Sequence, residues 1–188
     1  MNTILSTYSD LRYKEATDLD QYIDEIDKAS NNKKNLATIN SYKLMVKIID
    51  IQSVKIRNEA NENVKSLAAI QLDLKDAYIL KANKFVEARS KIPRSMYEIF
   101  NEDATLLRDQ AGTLSINANK NTSPQSFAKS MAEFYQERSN KFAELAKSSH
   151  GSFEKDILKK HSKLLLKDSK NWKIISSDVA KWAKKALK

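Results

Sequence analysis

Apolar residues in this chain recur three and four positions apart, the spacing that gathers them on one face of an α-helix. Ile4, Leu5, Tyr8, Leu11, Leu19, Tyr22, Ile23 and Ile26 predict a first helix from about Thr3 to Ala29. Its polar positions are dominated by acids, so segment 1–30 reads as an acidic helix carrying a net charge of −4. The Asn- and Lys-rich run 30–35 that follows reads as a turn.

From Leu36 to Lys91 neither Gly nor Pro interrupts the pattern, and Leu44, Ile48, Leu67, Leu74, Tyr78 and Phe85 mark its apolar face. Segment 36–92 is therefore expected to be one long helix of about 80 Å, with the polar patch 57–63 as the place for a bend or for a break into two helices. Ile49, Ile51, Ile70, Leu72, Ile79 and Leu80 exceed one stripe. The helix is thus expected either at the centre of a bundle or against another chain, a protein partner or a second copy.

Pro93 should end that helix, because it lacks a backbone donor and pushes the preceding residue out of the α region. A short helix over 95–112 follows, with Met96, Ile99, Phe100, Leu106 and Leu107 inward and Gly112 as a left-handed stop. Residues 115–124 then read as an exposed, protease-sensitive loop. Ser123 before Pro124 is a helix start, a capping hydroxyl followed by the residue suited to the first helical position. The helix it opens carries Phe127, Met131, Phe134, Tyr135, Phe142 and Leu145, and its register continues through Gly151 to Phe153 and Ile157. Passage through that glycine is expected over a stop and restart with Ser152 as a new cap, and the aromatics read as core. A last amphipathic helix, from about Trp172 to Leu187, turns Ile175, Val179 and Trp182 inward, with the two tryptophans also suited to a membrane interface.

Two glycines and two prolines in 188 residues leave little material for the turns of a sheet protein. The expected fold is a single all-α domain over 1–188: an elongated antiparallel bundle of four to six helices with a coiled-coil-like long central helix. Its core is expected chiefly between 36–91 and 124–170. Cysteine is absent, which removes disulfides and thiolate chemistry. No apolar run approaches the roughly 20 residues that span a bilayer, and the first residues lack the pattern of a secretion signal. The expected location is cytoplasmic, with membrane association open, or periplasmic or secreted if Met1 is not the native start.

The glycine-based nucleotide loops and the nucleophile elbow cannot be built from Gly112 and Gly151 alone. His150 and His161 lack the carboxylate spacing of helical metal sites, since positions 147 and 158 are Lys and Leu, and both read as partly exposed. No catalytic residue, metal site or cofactor is expected, and the chain reads as non-enzymatic.

Charge alters the picture at one end. Residues 155–188 hold eleven lysines against Asp156, Asp168 and Asp178, whereas the first 154 residues are almost neutral. Such a block attracts an anionic surface in a salt-dependent way. Lys155, Lys159, Lys160, Lys163 and Lys167, then Lys181, Lys184, Lys185 and Lys188, are the candidate contacts. An anionic membrane is the favoured partner. The segment has no arginine, the residue that base-edge recognition recruits, so nucleic acid ranks lower. Two further readings stand: the lysines balance the acidic first helix inside the bundle, or the chain is a structural or adaptor subunit of a larger assembly such as secretion or envelope machinery. Segment Phe127–Lys170 is loosely similar to the basic amphipathic middle helices of BAR-type membrane-bending dimers, over under a third of the chain, and no residue role follows from that similarity.

Overall fold

A computed structural model describes residues 14, 16–25, 28, 36–50 and 66–186, with side chains through Lys181. The described chain is all α-helical. Residues 16–25 form α1, Leu36–Asp50 α2, Leu67–Ala88 α3, Tyr97–Asn119 α4, Pro124–Ser148 α5 and Ser152–Ala186 α6.

Two antiparallel hairpins, α3 with α4 and α5 with α6, carry most of the packing, and α2 adds to the first of them. This corrects the expected core between 36–91 and 124–170. The α5–α6 register is marked by three rungs seven residues apart on each helix. Ser139 pairs with Ser162, the Ser169 hydroxyl donates to the Ala132 carbonyl at 2.8 Å, and the Ser176 hydroxyl donates to the Gln125 carbonyl at 3.3 Å. A step of seven residues is close to two helical turns, so the rungs stay on one face of each helix.

The hairpins join through the interior. Tyr78 on α3 packs its ring 5.5 Å from Phe134 and brings its hydroxyl 3.1 Å from that of Tyr135, both on α5. Arg138 on α5 donates from Nε and Nη2 to the two carboxylate oxygens of Asp103 on α4, at 2.8 and 2.9 Å, and both side chains are buried. Lys81 is buried beside them, with its ammonium 5.9 Å from the Tyr78 ring. At either end of the core, Phe85 meets Phe100 and Phe127 meets Trp172 edge to face, at 5.3 and 5.8 Å.

Several boundaries differ from expectation for local reasons. The single helix over 36–92 is not formed, because Ser66 is extended (φ −66°, ψ 156°) and its hydroxyl accepts the Ala69 N–H at 3.2 Å, capping a new helix. The patch at 57–63 and Ile51 lie outside the described residues. Pro93 does end α3: Ile92 is extended, two short 3-10 turns flank the proline, and α4 begins at Tyr97.

Gly112 is not a stop. It has no positive φ and faces solvent, while Leu107, Ala111, Leu114 and Ala118 continue the buried stripe. The stop is Asn121, whose φ of 49° allows its N–H to reach the Ala118 carbonyl and that of Thr122 the Asn117 carbonyl. This is the paired bonding of a left-handed helix terminus, with Asn standing where Gly is commoner. The expected loop over 115–124 thus shrinks to 120–123, and Ser123 caps α5 through Ser126 N–H at 3.2 Å as the sequence predicts.

The helix does not pass through Gly151 either. Ser149 leaves the helical region (φ −68°, ψ 132°), and the chain reverses before Ser152 so that α6 can lie back along α5. The separate last helix expected from Trp172 is part of α6, a continuous helix of 35 residues.

Candidate anionic-surface site

The site builds on α6, about 50 Å long at 1.5 Å per residue. Ile157, Leu158, His161, Leu165, Asp168, Ser169 and Trp172 are buried against the bundle. A helix turns by about 100° per residue, so Lys155, Lys159, Lys163, Lys167, Lys170, Lys173 and Lys181 fall within an arc of about 120° on the opposite side. All but the half-buried Lys155 are exposed. Ile174, on the same arc, is 59 % exposed.

These lysines are largely uncompensated. Lys181 lies 3.3 Å from Asp178, and among the described residues none of Lys155, Lys159, Lys163, Lys167, Lys170 and Lys173 forms an ion pair. Asp156 is the one carboxylate on the arc itself, exposed near its start. The side chains of Lys184, Lys185 and Lys188 lie outside the described residues.

Lys160 does not join this face. It is half-buried with its ammonium 5.1 Å from the ring of Tyr22 on α1, a cation–π contact. Burial raises the Tyr22 hydroxyl pKa, and the carboxylates of Asp156 and Glu25 add to the rise. The acidic helix therefore does border α6, at its first turns. Its Asp24, however, pairs with Lys43 of α2 at 2.7 Å, and the hydrogen bond and charge of Lys43 hold that carboxyl below its usual range.

Lys170, Lys173 and Ile174 belong to the face in addition to the lysines expected from the sequence. The three- and four-residue steps from Lys163 to Lys167, Lys170 and Lys173 were the available signal. Trp172, for which packing onto the bundle is the default expectation and a membrane interface the alternative, is buried against Phe127. The Trp182 side chain lies outside the described residues. His161, expected to be partly exposed, is fully buried with its ring 4.2 Å from that of Phe142. His150 is exposed on the α5–α6 turn, in a cleft of about 350 Å³ that also holds Glu98, Ser149 and Glu154. Among the described residues, no group of three His, Cys, Asp or Glu is placed to hold a metal ion, and no helix is long and apolar enough to cross a membrane.

Searches against protein-family models, curated proteins and solved structures return no match for this chain.

Proposed function

We propose that this chain is a non-catalytic helical interaction module, cytoplasmic and membrane-associated, that binds an anionic lipid surface through the lysine face of α6. The observation that carries this reading is the alignment of six exposed lysines along one side of a 35-residue helix whose other side is core. A straight row of that kind meets a lipid surface along its length. Each lysine near an anionic leaflet contributes about 1 kcal/mol, so five contacts sum to about 5 kcal/mol in gross attraction, all of it screened by salt. Lysine suits this role, since an ammonium is a compact charge needing no fixed geometry in its partner.

The test is the triple substitution K159E/K163E/K167E. These side chains are exposed, so the fold should survive, as circular dichroism would verify. Loss of binding to vesicles containing phosphatidylserine supports the reading. Unchanged binding removes it, and binding that RNA displaces more readily than lipid would move the face to nucleic acid.

A second reading, a structural or adaptor subunit, is favoured by α3. Leu72, Ile79 and Val86, seven residues apart, are each 38 to 40 % exposed. Ile49 and Ile70 turned inward instead. A solution mass that rises with concentration would support a protein contact or self-association along this stripe.

A further inference from the structure

Among the described residues, the large apolar side chain most exposed to solvent sits inside the lysine arc. Ile174 is 59 % exposed, above Leu36 and Ile116 at 54 %. Lys173 precedes it, Lys170 lies one turn before it and Lys181 two turns after, all three exposed; the exposed Asp178, one turn after it, pairs with Lys181 at 3.3 Å. Core packing does not explain this position, because the neighbouring Trp172 supplies the buried contact with Phe127. A single exposed apolar residue is ordinary on a protein surface. Ile174 lies among lysines on the solvent side of α6, a placement in which charge can hold an anionic surface while an apolar side chain enters it.

We infer that Ile174 is an insertion residue: when α6 lies on an anionic membrane, the stretch 170–181 sinks to the headgroup and acyl boundary while 155–167 stays at the surface on its lysines. This inference rests on the membrane reading above. It adds a lipid-specific element, because an aliphatic side chain gains from a bilayer interior what a phosphate backbone does not offer. It also gives the helix a polarity, with one half anchored by charge and the other by charge plus depth.

The protein has no cysteine, so I174C provides a single labelling position. An environment-sensitive fluorophore there should shift to the blue and gain intensity with vesicles containing phosphatidylserine, and lipid-borne quenchers in the acyl region should quench it. The same label at the exposed Asn140 of α5 should not respond. In parallel, I174S leaves the charge unchanged and should weaken vesicle binding about fivefold, the size expected when one aliphatic side chain is partly withdrawn from water. That ratio should hold as salt rises, unlike the lysine contribution. Vesicle binding by the unsubstituted chain with an aqueous label at 174, or with I174S binding equally, would overturn the insertion alone. No vesicle binding by the unsubstituted chain would overturn both this inference and the membrane reading.

Discussion

Ser139 and Ser162 exchange hydrogen bonds across the α5–α6 hairpin, each hydroxyl donating to the other residue's backbone carbonyl at 2.8 Å. A side chain as short as serine reaches a neighbouring helix's carbonyl only when the two backbones run close. The pair therefore reports a close helix contact, in which small residues set the separation. Ser169 and Ser176 repeat the bond down α6, so the register is held by small polar side chains as well as by the apolar stripe.

Replacing Ser139 with Ala should cost about 1 kcal/mol, since it removes one hydrogen bond and leaves the separation intact. Leucine at the same position must push the helices apart or leave its rotamer, and should cost about 3 kcal/mol. Urea unfolding of the two variants checks the order. Equal effects would mean that the close approach at this rung is not required.

The buried Arg138–Asp103 pair joins the two hairpins. Removing one partner strands a buried charge, so R138M and D103L should each destabilise by about 3–5 kcal/mol. The double variant R138M/D103L should recover much of that loss, because two apolar side chains replace two desolvated ions. A thermodynamic cycle measures this, and losses that simply add would show that the two side chains do not depend on each other.

Gly112 lies inside α4, has no positive φ, and an added Cβ would meet nothing within 4 Å beyond its chain neighbours and the backbone of its own helix. G112A should therefore stabilise by about 1 kcal/mol, with a rise in melting temperature of about 2–4 °C. A fall would mean that the helix stops at this position, as the sequence suggests on its face.

Tyr42 is buried, its hydroxyl has no hydrogen-bond partner among the described residues, and burial followed by the charge of Glu154 raises its pKa well above the usual tyrosine value. Above about pH 10 the unfolded chain gives up this proton while the folded chain keeps it, so stability must fall as pH rises. Y42F should be nearly neutral at pH 7 and should flatten that alkaline decline. Identical pH profiles for the two proteins would show that Tyr42 ionises normally in the fold.

Much of the architecture was legible from spacing. The 3.6-residue periodicity identified an all-α protein, Ser123-Pro124 marked the start of α5, and Pro93 marked the end of α3. Glycine was the poorer guide. The freedom of Gly112 suggests a stop, yet it sits in an unbroken helix whose buried stripe overrides it; at Gly151 the continuing apolar register suggests passage, yet the chain breaks there and folds α6 back on α5. Ser66 and Asn121 carry the two decisive caps, and polar residues of those types are too common in the chain to stand out beforehand.

The lysine face was half legible. Lys159, Lys163 and Lys167 follow from their fourfold spacing, but the face extends through Lys170, Lys173 and Ile174 because α6 does not restart at Trp172. Lys160 shows the opposite case, turned from the face by the ring of Tyr22. The Arg138–Asp103 pair had no signal at all, since its members lie 35 residues apart on helices whose pairing the sequence does not state.

Co-sedimentation with liposomes shows whether the lysine face of α6 binds lipid, comparing neutral phosphatidylcholine with phosphatidylserine-containing vesicles at low and physiological salt, with RNA as competitor. Binding should need the anionic lipid, weaken as salt rises, and survive the RNA. Sedimentation indifferent to lipid charge, or no binding to either vesicle, would contradict the membrane reading and turn attention to a protein partner on the Leu72, Ile79 and Val86 stripe of α3.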